Sequence, residues 1–250
     1  MKPATPLLAE NQAAPDAQSR ESACDNLVHM VVHDLRAPLT ALISSLDFLL
    51  SSTFGKLDQT ENACLTNASD GAARLSEMID TLLNLSRLEA RKMPLSMARE
   101  DLESVARSSA ATLVPLLGHR RLTWKTPPKP LCAVCDGAIV RRILTNLLDN
   151  AIRHTGSDGE ILVKIRRGAS GAFVSISDNG PGIAPEFHEN IFKKFAQHGP
   201  RKKQTSGVGL AFCKLAVEAH GGQIGITSEP GHGCTLWFTL PDASPTVARL

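Results

Sequence analysis

The 250-residue sequence has no large excess of charge of either sign, and it lacks the segments that carry a protein into or across a membrane. Its 27 lysines and arginines balance 25 acidic residues, so charge alone does not favour nucleic acid or an anionic membrane as partner. The N-terminus has no apolar signal core, and charged residues interrupt the most apolar stretch, Val31 to Leu50. We therefore expect a cytoplasmic protein that binds no nucleic acid and does not insert into a membrane.

The sequence also lacks the cysteine pattern of a disulfide framework or a zinc site. Six cysteines are scattered along the chain without a secretory signal, which favours reduced thiols. Cys132 and Cys135 are spaced as in metal sites, but no second pair or histidine cluster accompanies them. We interpret them as buried thiols of a strand. Since 42% of the residues are hydrophobic and no repeat is visible, the composition predicts one large or two small globular domains.

The first half of the sequence predicts a helical hairpin. Residues 1–22 are rich in Ala, Pro, Gln and Ser and are expected to form a tail or linker. Apolar residues then recur at helical spacing from Leu27 to Leu50 and again from Leu65 to Leu88, with a kink predicted at Pro38. Two helices alone cannot cover apolar stripes of this width. We therefore expect two copies to form a dimeric four-helix bundle.

After Pro94 the pattern changes to mixed α and β structure. Helices are predicted near residues 100–117, 137–153 and 208–220, and strands near residues 122, 131, 161–167, 172–177, 223–228 and 234–240. Gly168 and Gly171 indicate a hairpin between the third and fourth strands. Because strands and helices do not alternate regularly, the predicted fold class is α+β, with helices on one face of a mixed sheet.

The first polar signal is the pair His33 and Asp34 on the predicted hairpin. A histidine followed by a carboxylate suits a nucleophile, because the carboxylate holds one ring nitrogen and leaves the other free. The alternative is a solvated surface histidine, and His29 lies one turn earlier without a carboxylate after it.

A second signal is a polar stripe on the helix predicted over 137–153. Asn146 and Asn150 lie one turn apart, and Arg153 follows at a spacing of three. Two amides and a cation on one stripe suit Mg²⁺ and triphosphate oxygens. The alternative is a stripe that faces solvent or caps the helix.

Glycine-rich segments form the third signal. Asp178 to Ile183 follows a predicted strand, and an acidic residue followed by glycines suits recognition of a base edge, although an ordinary turn has the same composition. Ser206 to Leu210 opens a helix, whose amide groups could meet phosphates. The polar stretch between them, Phe195 to Ser206, predicts either a mobile lid or a solvated loop.

In this order, and with Ile191 to Phe195 and Gly231 to Cys234, the segments resemble the H, N, G1, F, G2 and G3 boxes of sensor histidine kinases. The match runs from about residue 25 to 241. The resemblance implies a HisKA-type dimerisation and phosphoacceptor hairpin and an α/β sandwich ATP-binding domain of the GHKL (Bergerat) type. The expected boundaries are 1–22 for the tail, 23–93 for the hairpin, 94–243 for the catalytic domain and 244–250 for a C-terminal tail.

By the same resemblance, His33 accepts the γ-phosphoryl group and Asp34 orients or deprotonates its ring. Asn150, with Asn146, is expected to hold Mg²⁺ on the phosphates of ATP, and Asp178 to accept the adenine amino group. The resemblance implies ten ATP-binding residues in all: Asn146, Asn150, Arg153, His154, Asp178, Gly180, Gly182, Gly207, Gly209 and Leu210.

The chain departs from the family pattern at several positions. Arg153 stands where a lysine is usual, His154 replaces an aromatic residue, Thr205 replaces a glycine and Cys234 replaces a threonine. The changes at Thr205 and Cys234 remove no expected metal or adenine contact.

The implied function is ATP-dependent autophosphorylation of His33 and transfer of the phosphoryl group to an aspartate of a response regulator that docks near His33. The input is expected from a separate sensor or from a sensor segment outside this chain. The main alternative is a degenerate kinase that acts as a dimeric ATP-binding scaffold. A third hypothesis, an ATPase that drives dimer closure, is disfavoured by the His33–Asp34 pair.

Overall fold

The computed structural model describes residues 35, 39–49, 58–90, 93–194, 196 and 207–242. The chain forms two compact units, which divide between Ser76 and Glu77. The predicted kink at Pro38 and both predicted tails lie outside the described residues. The domain boundaries expected from the sequence stay a prediction.

The first unit contains helix α1, residues 39–49, and the N-terminal part of helix α2, Gln59–Glu89. Helix α2 begins after a capping box, because the Asp58 amide donates to the Glu61 carboxylate at 2.9 Å and the Glu61 amide donates to Asp58 at 2.8 Å. Both predicted helices are thus confirmed where the structure describes them. Leu42, Phe48 and Leu75 are at least half exposed, which leaves apolar surface for a partner.

Within the described residues, no helix combines the length and the apolar character that a membrane crossing requires. The most apolar predicted stretch, Val31 to Leu50, is described only at Leu35 and residues 39–49.

The second unit contains two sheets. A five-stranded sheet has the order β2–β4–β5–β7–β6, in which β2 and β4 are parallel and the other neighbours are antiparallel. Strands β1 and β3 form a separate antiparallel pair. The strand bounds are Ala98–Asp101 (β1), Arg121–Lys125 (β2), Cys132–Cys135 (β3), Glu160–Arg167 (β4), Gly171–Asp178 (β5), Ile224–Ser228 (β6) and Cys234–Pro241 (β7). The predicted mixed sheet and the β4–β5 hairpin are confirmed.

The helices of this unit are α3 (Leu102–Ala111), α4 (Val114–Leu117), α5 (Gly137–His154) and α6 (Gly209–Ala219). Strands β4 and β7 alternate buried apolar residues with more exposed ones, so one face of the sheet meets the helices in a single apolar core. Leu85 and Leu88, in the last turns of α2, are buried in the same core. The core of the second unit therefore includes Leu85 and Leu88, at the end of the predicted hairpin.

The single helix predicted over 100–117 is wrong in detail. Residues Ala98–Asp101 form β1, and Asp101 caps α3 by accepting from the Glu103 amide at 3.2 Å. Helix α3 ends at Ala111, and α4 starts separately with Pro115 in its first turn. Periodicity does not reveal β1, because its hydrogen-bond partner β3 lies about 30 residues further along the chain.

Asp136 fixes the start of α5, the helix that carries the predicted polar stripe. Its Oδ1 accepts from the amides of Ala138 and Ile139 at 3.0 and 3.1 Å, and its Oδ2 accepts from the Ser96 amide at 2.8 Å. Its own amide donates to Nε2 of His220, which is buried at the end of α6. One residue thus joins the starts of β1 and α5 to the end of α6.

We expect Asp136→Ala to lower the free energy of unfolding by about 2 kcal/mol, because the helix cap is lost and three amide donors are left without their acceptor. Urea unfolding followed by circular dichroism measures the change. Asp101→Ala is the matched control: it removes an N-cap with one hydrogen bond and is expected to cost about 0.5–1 kcal/mol. Equal losses in both variants would contradict the proposed role of Asp136.

Candidate nucleotide site

The stripe predicted on α5 lies against the start of α6. A Cβ atom added at Gly209 would lie 3.5 Å from Oδ1 of Asn146, so the Asn146 amide packs against the first residue of α6. Both Asn146 and Asn150 are partly buried. Asn146 thus lies beside the first turn of α6, and Asn150 follows it one turn later on the same face of α5.

Asn146 and Asp149 carry buried polar atoms with unmet hydrogen-bonding capacity. Among the described residues, the buried side-chain atoms without a hydrogen-bond partner are Nδ2 of Asn146 and Oδ1 of Asp149. Burial raises the pKa of the Cys213 thiol to about 12, and the nearby Asn146 amide acts in the opposite direction. Sulfur is a weak hydrogen-bond acceptor, so this contact does not satisfy the amide.

Arg153, the C-terminal residue of the stripe, forms an ion pair with Asp149. Its Nε donates to Oδ2 of Asp149 at 2.6 Å, one helical turn away. Asp149 was not among the predicted site residues, because an Asp–Arg pair at this spacing is common on solvated helices. The unsatisfied Oδ1 of Asp149 is what marks the residue, and only the folded structure reveals it.

Asp178 is the last residue of β5, and the turn that follows it contacts the end of α5. Its Oδ1 accepts from the Gly180 amide at 2.9 Å, and its carboxylate also accepts from the backbone amide of Cys234. Burial raises the pKa of this carboxyl group above its ordinary range, although the two amide donors act in the opposite direction. The predicted base-recognition residue is therefore a desolvated carboxyl group at a strand end.

The glycines after Asp178 are required by close backbone packing. A Cβ atom at Gly180 would lie 2.6 Å from the carbonyl oxygen of His154, the last residue of α5. Gly182 has a φ of +72°, and its Cβ would lie 1.9 Å from the Glu229 carbonyl oxygen. This turn therefore packs against both the end of α5 and the loop that follows β6.

The start of α6 has no side-chain cap among the described residues. Gly207 has a φ of +67°, Gly209 begins the helix, and Val208 occupies the cap position without a side-chain hydrogen bond. Leu210 is partly buried and packs against the core. An uncapped helix start of this kind can bind an anion through its first amides.

The last turns of α2 contact the elements that build this site. Arg142, one turn before Asn146, donates to the Thr81 hydroxyl at 2.6 Å and lies over the Phe212 ring of α6 at 4.6 Å. Lys194 pairs with Glu89 at 2.6 Å. The sequence did not reveal these contacts, since they join residues more than 60 positions apart.

His33 and Asp34 lie outside the described residues, as do Phe195, Thr205 and Ser206. Among the predicted ATP-binding residues, Asn146 packs against Gly209 at the start of α6, and His154 contacts Gly180 in the turn after β5. Arg153 pairs with Asp149 on α5. The remaining described residues adjoin these along the chain: Asn150, Asp178 and Gly207. Gly182 faces the loop after β6, and Leu210 faces the core.

The donor set fits a magnesium-bound nucleotide. Amide and carboxylate oxygens are hard ligands of the kind that Mg²⁺ prefers. In nucleotide sites the protein usually supplies only some of the ligands, and phosphate oxygens and water supply the others. The buried Nδ2 of Asn146 and Oδ1 of Asp149 have unmet hydrogen-bonding capacity on one helix face. The backbone amides at the helix start near Gly209 can donate hydrogen bonds to phosphate oxygens, and the Asp178 carboxylate can accept one from the amino group of a base.

Comparisons with known proteins match both parts of the chain. The model of the His Kinase A (phospho-acceptor) domain matches residues 25–91. The model described as histidine kinase-, DNA gyrase B-, and HSP90-like ATPase matches residues 135–244.

Curated relatives are similar over most of the chain. The adaptive-response sensory kinase SasA of Synechococcus sp. (strain JA-3-3Ab) is 33% identical over 222 residues, which cover 87% of this chain and 59% of that protein. The alginate biosynthesis sensor protein KinB of Pseudomonas aeruginosa is 30% identical over 84% of this chain and 35% of its own length. The chain thus spans about 60% or less of the length of these relatives.

A solved structure is also similar. Full-length ShkA in complex with AMPPNP has a TM-score of 0.73 and 27% sequence identity, and the match covers 88% of this chain and 46% of that one.

Proposed function

We propose that this chain, which belongs to the sensor histidine kinase family, uses ATP to phosphorylate His33 and passes the phosphoryl group to an aspartate of a response regulator. The observation that carries the proposal is the Asn146 side chain, which packs against Gly209 at the start of α6 and has a buried Nδ2 without a hydrogen-bond partner. The AMPPNP bound to the similar ShkA supports an adenine nucleotide as the ligand.

In this proposal, Asp178 accepts a hydrogen bond from the adenine amino group. The amides at the start of α6 donate to phosphate oxygens, as the uncapped helix start allows. Asn150 and Asn146 hold Mg²⁺, which neutralises phosphate charge when bound. Arg153, on the same stripe of α5, helps to neutralise the negative charge of the phosphates. The residues therefore position and neutralise the triphosphate.

The proposed chemistry takes place at His33. One ring nitrogen attacks the γ-phosphorus with its lone pair, the new N–P bond forms, and the bond from phosphorus to the leaving oxygen of ADP breaks. Asp34 accepts a hydrogen bond from the other ring nitrogen and takes the proton that the ring loses. The phosphoryl group then moves to a carboxylate oxygen of the regulator aspartate, and His33 is regenerated.

We further propose that the active form is a homodimer whose hairpins form a four-helix bundle. The exposed Leu42, Phe48 and Leu75 support this assembly, because a second copy would cover them. The sensor input is proposed to come from a separate protein or from a segment outside this chain.

Incubation of the full chain with γ-labelled ATP and Mg²⁺ tests the proposed activity. Phosphohistidine is labile in acid and stable in base, so we expect label that survives alkali and is lost in acid. Absence of label together with tight ATP binding would favour the scaffold alternative. Transfer is tested by adding a receiver domain and following label from the kinase to the regulator.

We expect Asp178→Asn to weaken ATP binding and to raise the unfolding temperature. The raised pKa of Asp178 means that the ionised carboxylate costs folding free energy at pH values above the folded-state pKa. This cost shrinks as pH falls below the folded-state pKa and is gone below the unfolded-state pKa. Asparagine removes that cost, but it exchanges a charged acceptor for a neutral one, so we expect roughly a 10- to 100-fold loss of ATP affinity. Calorimetry of binding and of unfolding measures both effects. Unchanged ATP affinity would contradict adenine recognition by Asp178.

A further inference from the structure

Asp178, Cys234 and Ser228 form one row across the end of the five-stranded sheet. Asp178 of β5 pairs with Cys234 of β7, and Cys234 pairs with Ser228 of β6. The row lies where two turns leave the sheet: residues 179–183 follow β5, and residues 229–233 connect β6 with β7. Ser228 is therefore two strands away from the proposed adenine acceptor, at the same level of the sheet.

The hydroxyl group of Ser228 holds both turns. Its Oγ accepts from the Ile183 amide at 2.8 Å and donates to the Gly233 carbonyl oxygen at 2.7 Å. Ser228 is 8% exposed, so neither hydrogen bond is readily replaced by water. One buried hydroxyl group thus joins the turn after Asp178 to the turn before Cys234.

The two turns also interlock through their backbones. The Gly231 amide donates to the Pro181 carbonyl oxygen at 2.7 Å. A Cβ atom at Gly182 would lie 1.9 Å from the Glu229 carbonyl oxygen, and one at Gly233 would lie 2.0 Å from the Asp178 carbonyl oxygen. Because the backbones are in such close contact, a shift of one turn must move the other and the backbone of Asp178.

We propose that Ser228 is a positioning residue for adenine recognition. Its hydroxyl group keeps the two turns in the arrangement in which the Gly180 amide donates to the Asp178 carboxylate and Cys234 pairs with Asp178 across the sheet. Ser228 acts through Asp178 and does not touch the nucleotide. This inference rests on the proposed function, since it assigns a new role within the same site.

The test compares two ligands of the full chain by titration calorimetry. ATP engages both the adenine and the phosphate contacts, whereas inorganic triphosphate with Mg²⁺ engages the phosphate contacts alone. For Ser228→Ala we expect ATP to bind about 10-fold more weakly, the order expected from losing two neutral hydrogen bonds. Triphosphate affinity is expected to stay within about twofold of the unmodified chain.

Two further variants separate positioning from general stability. Ser228→Thr keeps a hydroxyl group and is expected to restore most of the ATP affinity. Ser109→Ala is the matched control, because Ser109 is fully buried and its hydroxyl also bonds backbone carbonyl groups, those of Val105 and Arg141, in α3 and α5. We expect this control to leave the preference for ATP over triphosphate unchanged.

An equal loss of affinity for ATP and triphosphate in Ser228→Ala, or no loss for either, would overturn the positioning role while leaving the proposed kinase function intact. A selective loss in Ser109→Ala as large as that in Ser228→Ala would also overturn it. If the unmodified chain binds triphosphate but not ATP, adenine recognition fails and the proposed function fails with it.

Discussion

Replacing His33 with glutamine is expected to abolish phosphorylation of this chain while leaving ATP binding unchanged. Glutamine matches the size of the imidazole but has no nitrogen lone pair that can attack phosphorus at neutral pH. The nucleotide contacts proposed for α5, the turn after β5 and α6 do not involve this residue. The measurement is incorporation of label from γ-labelled ATP, with ATP affinity determined on the same preparation.

His29→Gln is the matched control for His33→Gln. It removes a histidine that lies four residues earlier in the sequence and has no carboxylate directly after it, and we expect labelling to continue at the unmodified rate. Acid-labile label that persists in His33→Gln and disappears in His29→Gln would move the phosphoacceptor to His29. Loss of ATP binding in His33→Gln would instead indicate that the substitution damages the fold.

Replacing Asn150 with alanine is expected to lower the autophosphorylation rate at least 100-fold. In the proposed site the Asn150 amide oxygen holds Mg²⁺ on the triphosphate, and loss of one such electrostatic contact typically costs 100- to 1,000-fold in rate. Alanine has the higher helix propensity, so α5 itself is expected to form as before. The rate is measured by labelling, and ATP affinity is measured with and without Mg²⁺.

The distinctive result for Asn150→Ala is the metal dependence of ATP binding. We expect Mg²⁺ to strengthen ATP binding to the unmodified chain and to have little effect on the variant, and the two proteins are expected to bind ATP equally in its absence. Thr145→Ala is the control, since Thr145 lies on α5 but its hydroxyl bonds the Arg141 carbonyl oxygen. An active Asn150→Ala enzyme with normal Mg²⁺ dependence would contradict the assignment.

The last turns of α2 lie within the second unit and contact the helices of the candidate nucleotide site. Arg142 contacts Thr81 of α2 and Phe212 of α6, and it lies one turn before Asn146. Leu85 and Leu88 are buried in the catalytic core. The end of the hairpin is therefore a packed part of the unit that contains the proposed ATP site.

Much of the fold was predictable because it depends on local periodicity. The stripe of buried residues on α5 and the alternation in β4 and β7 follow the helical and strand periods of the sequence. The capping box of Asp58 and Glu61 marks the start of α2 in the same local way. Strand β1 was missed because its pairing with β3 is a long-range contact.

The candidate site was predictable to the extent that its motifs are contiguous. Asn146 and Asn150 share a helix face by spacing alone, and the glycines after Asp178 indicate a close backbone approach. Asp149 and Ser228 could not be identified in this way. Their roles follow from an unsatisfied buried oxygen and from two hydrogen bonds to distant turns, and neither is visible in the order of residues.

The sequence by itself determined most helices and strands, the order of the motifs and the identity of the phosphoacceptor candidate. These depend on residue type and on spacings of a few positions, where backbone geometry links pattern directly to structure. Only the tertiary structure decided that Asp136 joins β1, α5 and α6, and that Ser228 holds the turns beside Asp178. The reason is physical: burial and long-range hydrogen bonds arise when distant segments pack, and they give otherwise ordinary residues their roles.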